Sequence, residues 1–283
     1  MSRDRSGIST EAGRMTSRCP FPETTNAEAY VPRAATEARL QVIREWSEGD
    51  GIGSTMTALI SDPGMGKTQL LRVFESGRPA WGRGPGRTRR VLYLPHAGLS
   101  IMDLCEWVHG LVETAPRVPD ARDHPVAALA ALFALAGGPD DPLFLLLDDA
   151  DSMPTETARV LAQGLPRERS PLRFLLAMGN DARTSRLLAI FDPLRPGVAE
   201  LGDPLDEHET AIYIRARLAR AGFDSAQIGR FDRERVRQIH ALSGGVPRRI
   251  HQEATAILES DENRLPGALG SKREREDWMG RSF

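Results

Sequence analysis

The segment Ser61-Asp62-Pro63-Gly64-Met65-Gly66-Lys67-Thr68 has the residue types and spacing of an anion cradle. It matches G-x-x-x-x-G-K-[ST] except at the first position, where serine replaces glycine. Gly64 and Gly66 allow backbone conformations that turn successive N–H groups inward, and the N-terminus of the following helix adds its own amides. Lys67 has the reach to meet the β- and γ-phosphates of a nucleoside triphosphate, and the Thr68 hydroxyl suits Mg²⁺. Asp62, Pro63, Gly64, Met65, Gly66, Lys67, Thr68 and Gln69 are therefore the candidate nucleotide-binding residues. Of 37 basic residues only Lys67 and Lys272 are lysine, so a lysine kept in this motif points to a chemical requirement.

A second motif lies downstream. Leu143–Leu147 is unbroken apolar sequence that delivers Asp148 and Asp149 at its end. A strand ending in an acid is the usual partner of a phosphate loop, with the acid holding Mg²⁺ directly or through water. Asp148 takes that role here. Asp149 stands where a water-orienting base is expected, often glutamate, and is one methylene shorter. Asp151 adds a third carboxylate nearby.

These motifs need a scaffold. Ala34–Glu48 has helical apolar spacing, with Leu40, Val42, Ile43 and Trp46 on one face. Thr55–Ile60 reads as a strand entering the glycine turn, and Thr68–Ser76 as the helix leaving it. Val91–Leu94, Leu143–Leu147, Leu172–Met178 and Val198–Leu201 read as further strands, and Ser100–Thr114, Val126–Ala136 and Pro154–Leu165 as helices between them. Alternation of this kind predicts an α/β fold: a P-loop-type parallel sheet with helices on both faces. After Leu205 the pattern changes to consecutive helices, Glu207–Ala221, Arg233–Leu242 and Pro247–Ser260. The expected organisation is a mobile arm over 1–25, an α/β core over 26–205, a small helical lid over 206–262 and a charged tail over 263–283.

Composition narrows the class. The chain has 283 residues, 40% hydrophobic and 27% charged, which is ordinary for a globular protein. A net charge of −2 gives no global field for nucleic acid. Cys19 and Cys105 follow no metal or disulfide spacing. His96, His109, His124, His208, His240 and His251 are scattered without ligand spacing and read as structural or solvated. No stretch approaches the ~18 apolar residues of a membrane span, and the N-terminus has no secretory core, so a cytoplasmic location is expected.

With these motifs in place, the chain resembles the AAA+ ATPases, and within them the ExeA/GspA-like ATPases of general secretion and the TniB/MuB-type ATPases of transposition. The resemblance covers roughly residues 20–260. It is carried by Cys19-Pro20-Phe21-Pro22, Tyr30-Val31-Pro32-Arg33, the phosphate loop, and Asp148-Asp149-Ala150-Asp151 in place of a D-E-A segment. In the lid it is carried by Pro204-Leu205, Glu209-Thr210, Tyr213-Ile214-Arg215, Arg217-Leu218 and Ser243-Gly244-Gly245-Val246-Pro247-Arg248-Arg249-Ile250.

The resemblance implies an ATPase using ATP and Mg²⁺. It implies Asn180 as a sensor of the γ-phosphate or attacking water, and Arg248 as the lid arginine that reaches the nucleotide. It implies Arg195 as an arginine finger acting in a neighbouring subunit, with Arg183 and Arg186 as rivals, and hence a homo-oligomer. The shorter Asp149 implies slow turnover, a switch more than a motor, acting on protein partners. The alternative is an ATP-dependent DNA-binding protein. Its support is the Arg78–Arg90 loop, where Arg78, Arg83, Arg87, Arg89 and Arg90 offer positive charge without an acid. A nucleotide-binding scaffold that does not hydrolyse is the third reading. Residues 95–142 show no aromatic-hydrophobic-glycine pore loop, which disfavours protein unfolding.

Overall fold

The structure, a computed structural model, describes residues 20–21, 25, 27–48, 54–77, 90–112, 124–138 and 141–264. Cys19, most of the arginine-rich 78–90 loop and residues 265–283 lie outside the described residues.

The five strands are β1 (Met56–Ile60), β2 (Arg90–Leu94), β3 (Leu143–Leu147), β4 (Leu172–Met178) and β5 (Gly197–Glu200). They form one parallel sheet in the order β2-β3-β4-β1-β5. β1, β3 and β4 are buried at every position, as expected of strands covered on both faces, with Thr57 and Arg173 the polar residues buried within them. Each strand splits its residues between two layers. Met56, Ala58, Ile60, Leu145, Leu147, Phe174 and Leu176 point into one apolar cluster, whereas Leu59, Phe144, Leu146, Leu175 and Ala177 point into the other.

Helices α1 (Ala34–Glu48) and α2 (Lys67–Glu75) cover the second cluster through Leu40, Ile43, Leu70, Leu71, Val73 and Phe74. Helices α3 (Ile101–Leu111), α4 (Pro125–Leu135), α5 (Thr155–Gly164) and α6 (Ala182–Phe191) cover the first. The sequence expectation had no element at α6. It is a short amphipathic helix capped by Asp181, whose carboxylate accepts from the amides of Arg183 and Thr184, and it buries Thr184, Leu187 and Phe191. Its one apolar stripe is interrupted by Arg183, Ser185 and Arg186, which hid the period. Pro154 is not the first helical residue but the N-cap of α5.

The C-terminal region is helical: α7 (Glu207–Arg220), the short α8 (Ser225–Gly229), α9 (Arg233–Ser243) and α10 (Pro247–Arg264). Leu205, Ile214, Leu218, Phe231, Val236, Ile239, Ile250 and Ala254 form a third cluster of their own. Pro20 and Phe21 were expected in a mobile arm, but they are buried here. Phe21 is 5% exposed within that third cluster, and the buried guanidinium of Arg217 donates to the Pro20 carbonyl at 2.9 Å. Burying an aromatic side chain on an otherwise thin helical layer outweighs the entropy of leaving this segment free. The α10 helix also runs past residue 262, where the lid was expected to end.

Candidate nucleotide site

The sheet sets the site. In a parallel sheet every strand ends on the same edge, so the loops after β1, β3 and β4 converge there. The phosphate-loop sequence follows β1. Gly64 and Gly66 have φ of +87° and +101°, which a glycine adopts without Cβ strain. Gly66 is the N-cap of α2 and makes no side-chain cap bond, so the start of the helix suits an anion. Space above Gly66 is open, since a Cβ there would meet nothing within 4 Å.

Lys67 opens α2, and its ammonium arches back over the loop. Nζ donates to the Ser61 carbonyl at 2.7 Å, to the Ser61 hydroxyl at 3.2 Å and to the Asp62 carbonyl at 3.2 Å. Burial lowers its pKa, an effect opposed by the nearby carboxylates of Asp151 and Asp148 and reinforced by Arg248. Ser61, the departure from the motif, is buried and needs no positive φ, so a Cβ fits there and its hydroxyl gives the ammonium one more partner.

Asp148 leaves β3 only 8% exposed, and its amide donates to Leu94 O of the neighbouring strand at 2.9 Å. Its Oδ1 accepts from the Asp149 amide at 3.0 Å and its Oδ2 from the Tyr93 hydroxyl at 2.9 Å. Asp149 has φ +50°, the left-handed region that non-glycine residues rarely adopt. That turn swings its carboxylate outward, 61% exposed, to 3.2 Å from His96 Nδ1. The Ser152 hydroxyl bonds the Asp149 carbonyl at 2.6 Å and closes the turn. His96 was read from sequence as structural or solvated, yet it is a direct partner of Asp149. Only the register of β2 against β3, with Leu94 beside Leu147, brings the two together.

Asn180 follows β4, whose Met178 carbonyl accepts from the Ser61 amide at 3.3 Å, so Asn180 lies at the rim of the same loop, exposed. Arg248 lies in the first turn of α10, and its amide donates to the Gly64 carbonyl at 3.2 Å. Arg195 is elsewhere. It precedes β5, at φ +49°, and β5 runs parallel to β1 with Gly197 beside Thr57. Arg195 therefore sits at the far edge of the sheet, about 20 Å from the loop at a rise of ~3.3 Å per residue. Arg183 and Arg186 lie in the first turns of α6, which starts near the loop edge.

The structure thus gathers the phosphate loop, Asp148, Asp151 and Arg248 around Lys67, with Asn180 at the rim, and leaves Arg195 out. The donor set suits a nucleotide and Mg²⁺. Thr68 and Asp148 offer hard oxygen ligands, and Mg²⁺ characteristically takes one or two protein oxygens, then phosphate and water.

No family model and no curated protein matches the chain. Solved structures do. The ADP form of the Aeropyrum pernix ORC2 protein aligns with TM-score 0.62 at 18% identity, over 90% of this chain and 70% of that one. The Walker-type ATPase of Pyrococcus abyssi aligns with TM-score 0.56 at 14% identity, over 93% and 80%. Cdc6p from Pyrobaculum aerophilum aligns with TM-score 0.51 at 20% identity, over 71% and 52%. At these identities the likeness is one of fold: a parallel P-loop-type α/β sheet followed by a helical region.

Proposed function

We propose that the chain binds Mg²⁺-ATP and hydrolyses it slowly to ADP and phosphate, as an oligomeric switch acting on protein partners. The observation that carries this is the convergence on Lys67 of the phosphate loop, two carboxylates and the lid arginine Arg248. Lys67 and the loop amides hold the phosphates, Gly64 and Gly66 letting the backbone approach them. Thr68 and Asp148 hold Mg²⁺, which when bound neutralises charge developing on the transferred phosphoryl group. Asp149 orients the attacking water, and leaving His96 for that task accounts for slow turnover. Asn180 and Arg248 register the γ-phosphate. The work is positioning and charge stabilisation rather than covalent chemistry.

The placement of Arg195 supports the oligomeric part of this reading. About 20 Å is beyond the span of an arginine side chain, so Arg195 is of no use to its own chain's loop and is free to serve a neighbour's. The strained φ of a non-glycine residue at this point favours a functional over an incidental position. The closer kinship to the general-secretion and transposition ATPases, the core-plus-lid domain division and a cytoplasmic setting belong to this proposal. Among the described residues no helix is long and apolar enough to cross a membrane.

The test is phosphate release from Mg²⁺-ATP across protein concentration, with and without duplex DNA, beside Lys67→Ala. Turnover that rises with protein concentration and disappears in Lys67→Ala supports an oligomeric ATPase. Full turnover in a monomer at all concentrations removes the trans arginine. Stimulation by DNA replaces the protein-partner reading with the DNA-binding one. ATP binding without turnover leaves a scaffold.

A further inference from the structure

Tyr93 was not singled out by the sequence, and nothing in the reading above uses it. It lies on β2 opposite Leu146 of β3. Side chains two residues apart on a strand share a face, so Tyr93 and Asp148 stand on the same face, one step apart along the sheet. The phenol spans that step and donates to Asp148 Oδ2 at 2.9 Å. The Asp149 amide holds Oδ1 at 3.0 Å. Both oxygens of this buried carboxylate are thereby fixed by donors from the protein side, and each keeps a second lone pair for a ligand on the loop side.

The ring is fixed as well. The Arg72 guanidinium lies over its face at 3.5 Å, and Arg72 is itself paired with Glu75 at 2.8 Å. Arg72 is on α2, the helix that opens with Lys67 and Thr68. Tyr93 therefore ties the helix carrying one candidate Mg²⁺ ligand to the strand carrying the other. Without the hydroxyl, Oδ2 would lose the donor that fixes it.

We propose that Tyr93 is a positioning residue of the Mg²⁺ site, its hydroxyl fixing the orientation of the Asp148 carboxylate. The proposal rests on the reading of Asp148 as a metal-holding group. Outer-shell partners of this type set metal affinity by roughly 10–100-fold when removed.

The experiment uses the full chain and Tyr93→Phe, which deletes one oxygen and keeps the ring and its Arg72 contact. Mn²⁺ is the probe. Its affinity for the protein–ADP complex is read by electron paramagnetic resonance, and ADP affinity is measured separately in EDTA. Asp148→Asn is measured alongside. The expected result is Mn²⁺ affinity weaker by roughly 10–100-fold in Tyr93→Phe, with ADP affinity in EDTA within twofold of the parent chain. Mn²⁺ affinity unchanged in Tyr93→Phe but weakened in Asp148→Asn overturns the proposal and leaves the Mg²⁺ reading standing. Affinity unchanged in both variants overturns that reading and the proposal with it. Equal loss of Mn²⁺ and of metal-free ADP binding makes Tyr93 a packing residue only.

Discussion

The Arg248 amide and the Gly64 carbonyl are hydrogen-bonded at 3.2 Å, so the helical region meets the phosphate loop main chain to main chain. The contact is tight on the Gly64 side. A Cβ built there would stand 2.9 Å from Arg248 Cβ and 3.1 Å from Val246 Cγ1. The start of α10 and the loop meet closely here, and glycine is what permits it.

Gly64→Ala should accordingly separate the two. The substitution meets both the clash and a φ of +87°, a backbone conformation costing about 1–2 kcal/mol without glycine. ADP affinity, measured by calorimetric titration, is expected to fall roughly tenfold, the equivalent of 1.4 kcal/mol. Parental affinity in this variant would show that the lid contact does not shape the nucleotide site.

The join between core and helical region depends on Gly245. Its φ is +74°, and a Cβ would lie 2.0 Å from the Leu205 carbonyl oxygen, while the Leu205 amide donates to Gly245 O at 2.9 Å. Here the obstacle is backbone and cannot rotate away. Gly245→Ala is expected to destabilise the chain by about 3 kcal/mol, from overpacking together with the left-handed backbone. Urea unfolding reads it as a lowered midpoint, and an unmoved midpoint would contradict the contact.

Asp149 and His96 predict a kinetic pattern. Asp149→Asn should slow single-turnover hydrolysis by roughly 100-fold while ADP binding persists, the usual scale for losing a group that handles a proton. Asp149→Glu extends the carboxylate by one methylene and should raise turnover. A Glu variant no faster than the parent would refute the idea that the short side chain limits the rate. His96→Ala frees Asp149 from its partner and should alter turnover without changing ADP affinity.

His251 makes stability depend on pH. It is buried beside Tyr213, whose hydroxyl meets its Nε2 at 2.7 Å, and Phe21, and burial with the Arg217 charge lowers its pKa from 6.5 to about 3. Between these values the unfolded chain binds a proton that the folded chain refuses. The stabilisation is complete above pH 6.5 and is lost as pH falls toward 3, with a slope of about 1.4 kcal/mol per unit. His251→Gln should flatten that slope in unfolding measured from pH 7 to 4. Identical slopes in the two chains would place the titration elsewhere.

The sequence by itself determined what is local. The unbroken apolar run Leu143–Leu147 and the apolar Leu172–Met178, interrupted only by Arg173, read as strands covered on both faces, and the phosphate-loop glycines announced their backbone needs by type and spacing. The parallel α/β architecture and helical C-terminal region followed from period and order. The α6 helix escaped because polar residues broke its short stripe, and the burial of Phe21 escaped because its partners, Ile214 to Ala254, lie some two hundred residues away. Tertiary structure alone decided the neighbours of the acids. Register between β2 and β3 set Tyr93 on Asp148 and His96 on Asp149, and strand direction put Arg195 at the opposite edge from Lys67. Side-chain pairing across strands depends on register, and register is a property of the assembled sheet that no single segment carries.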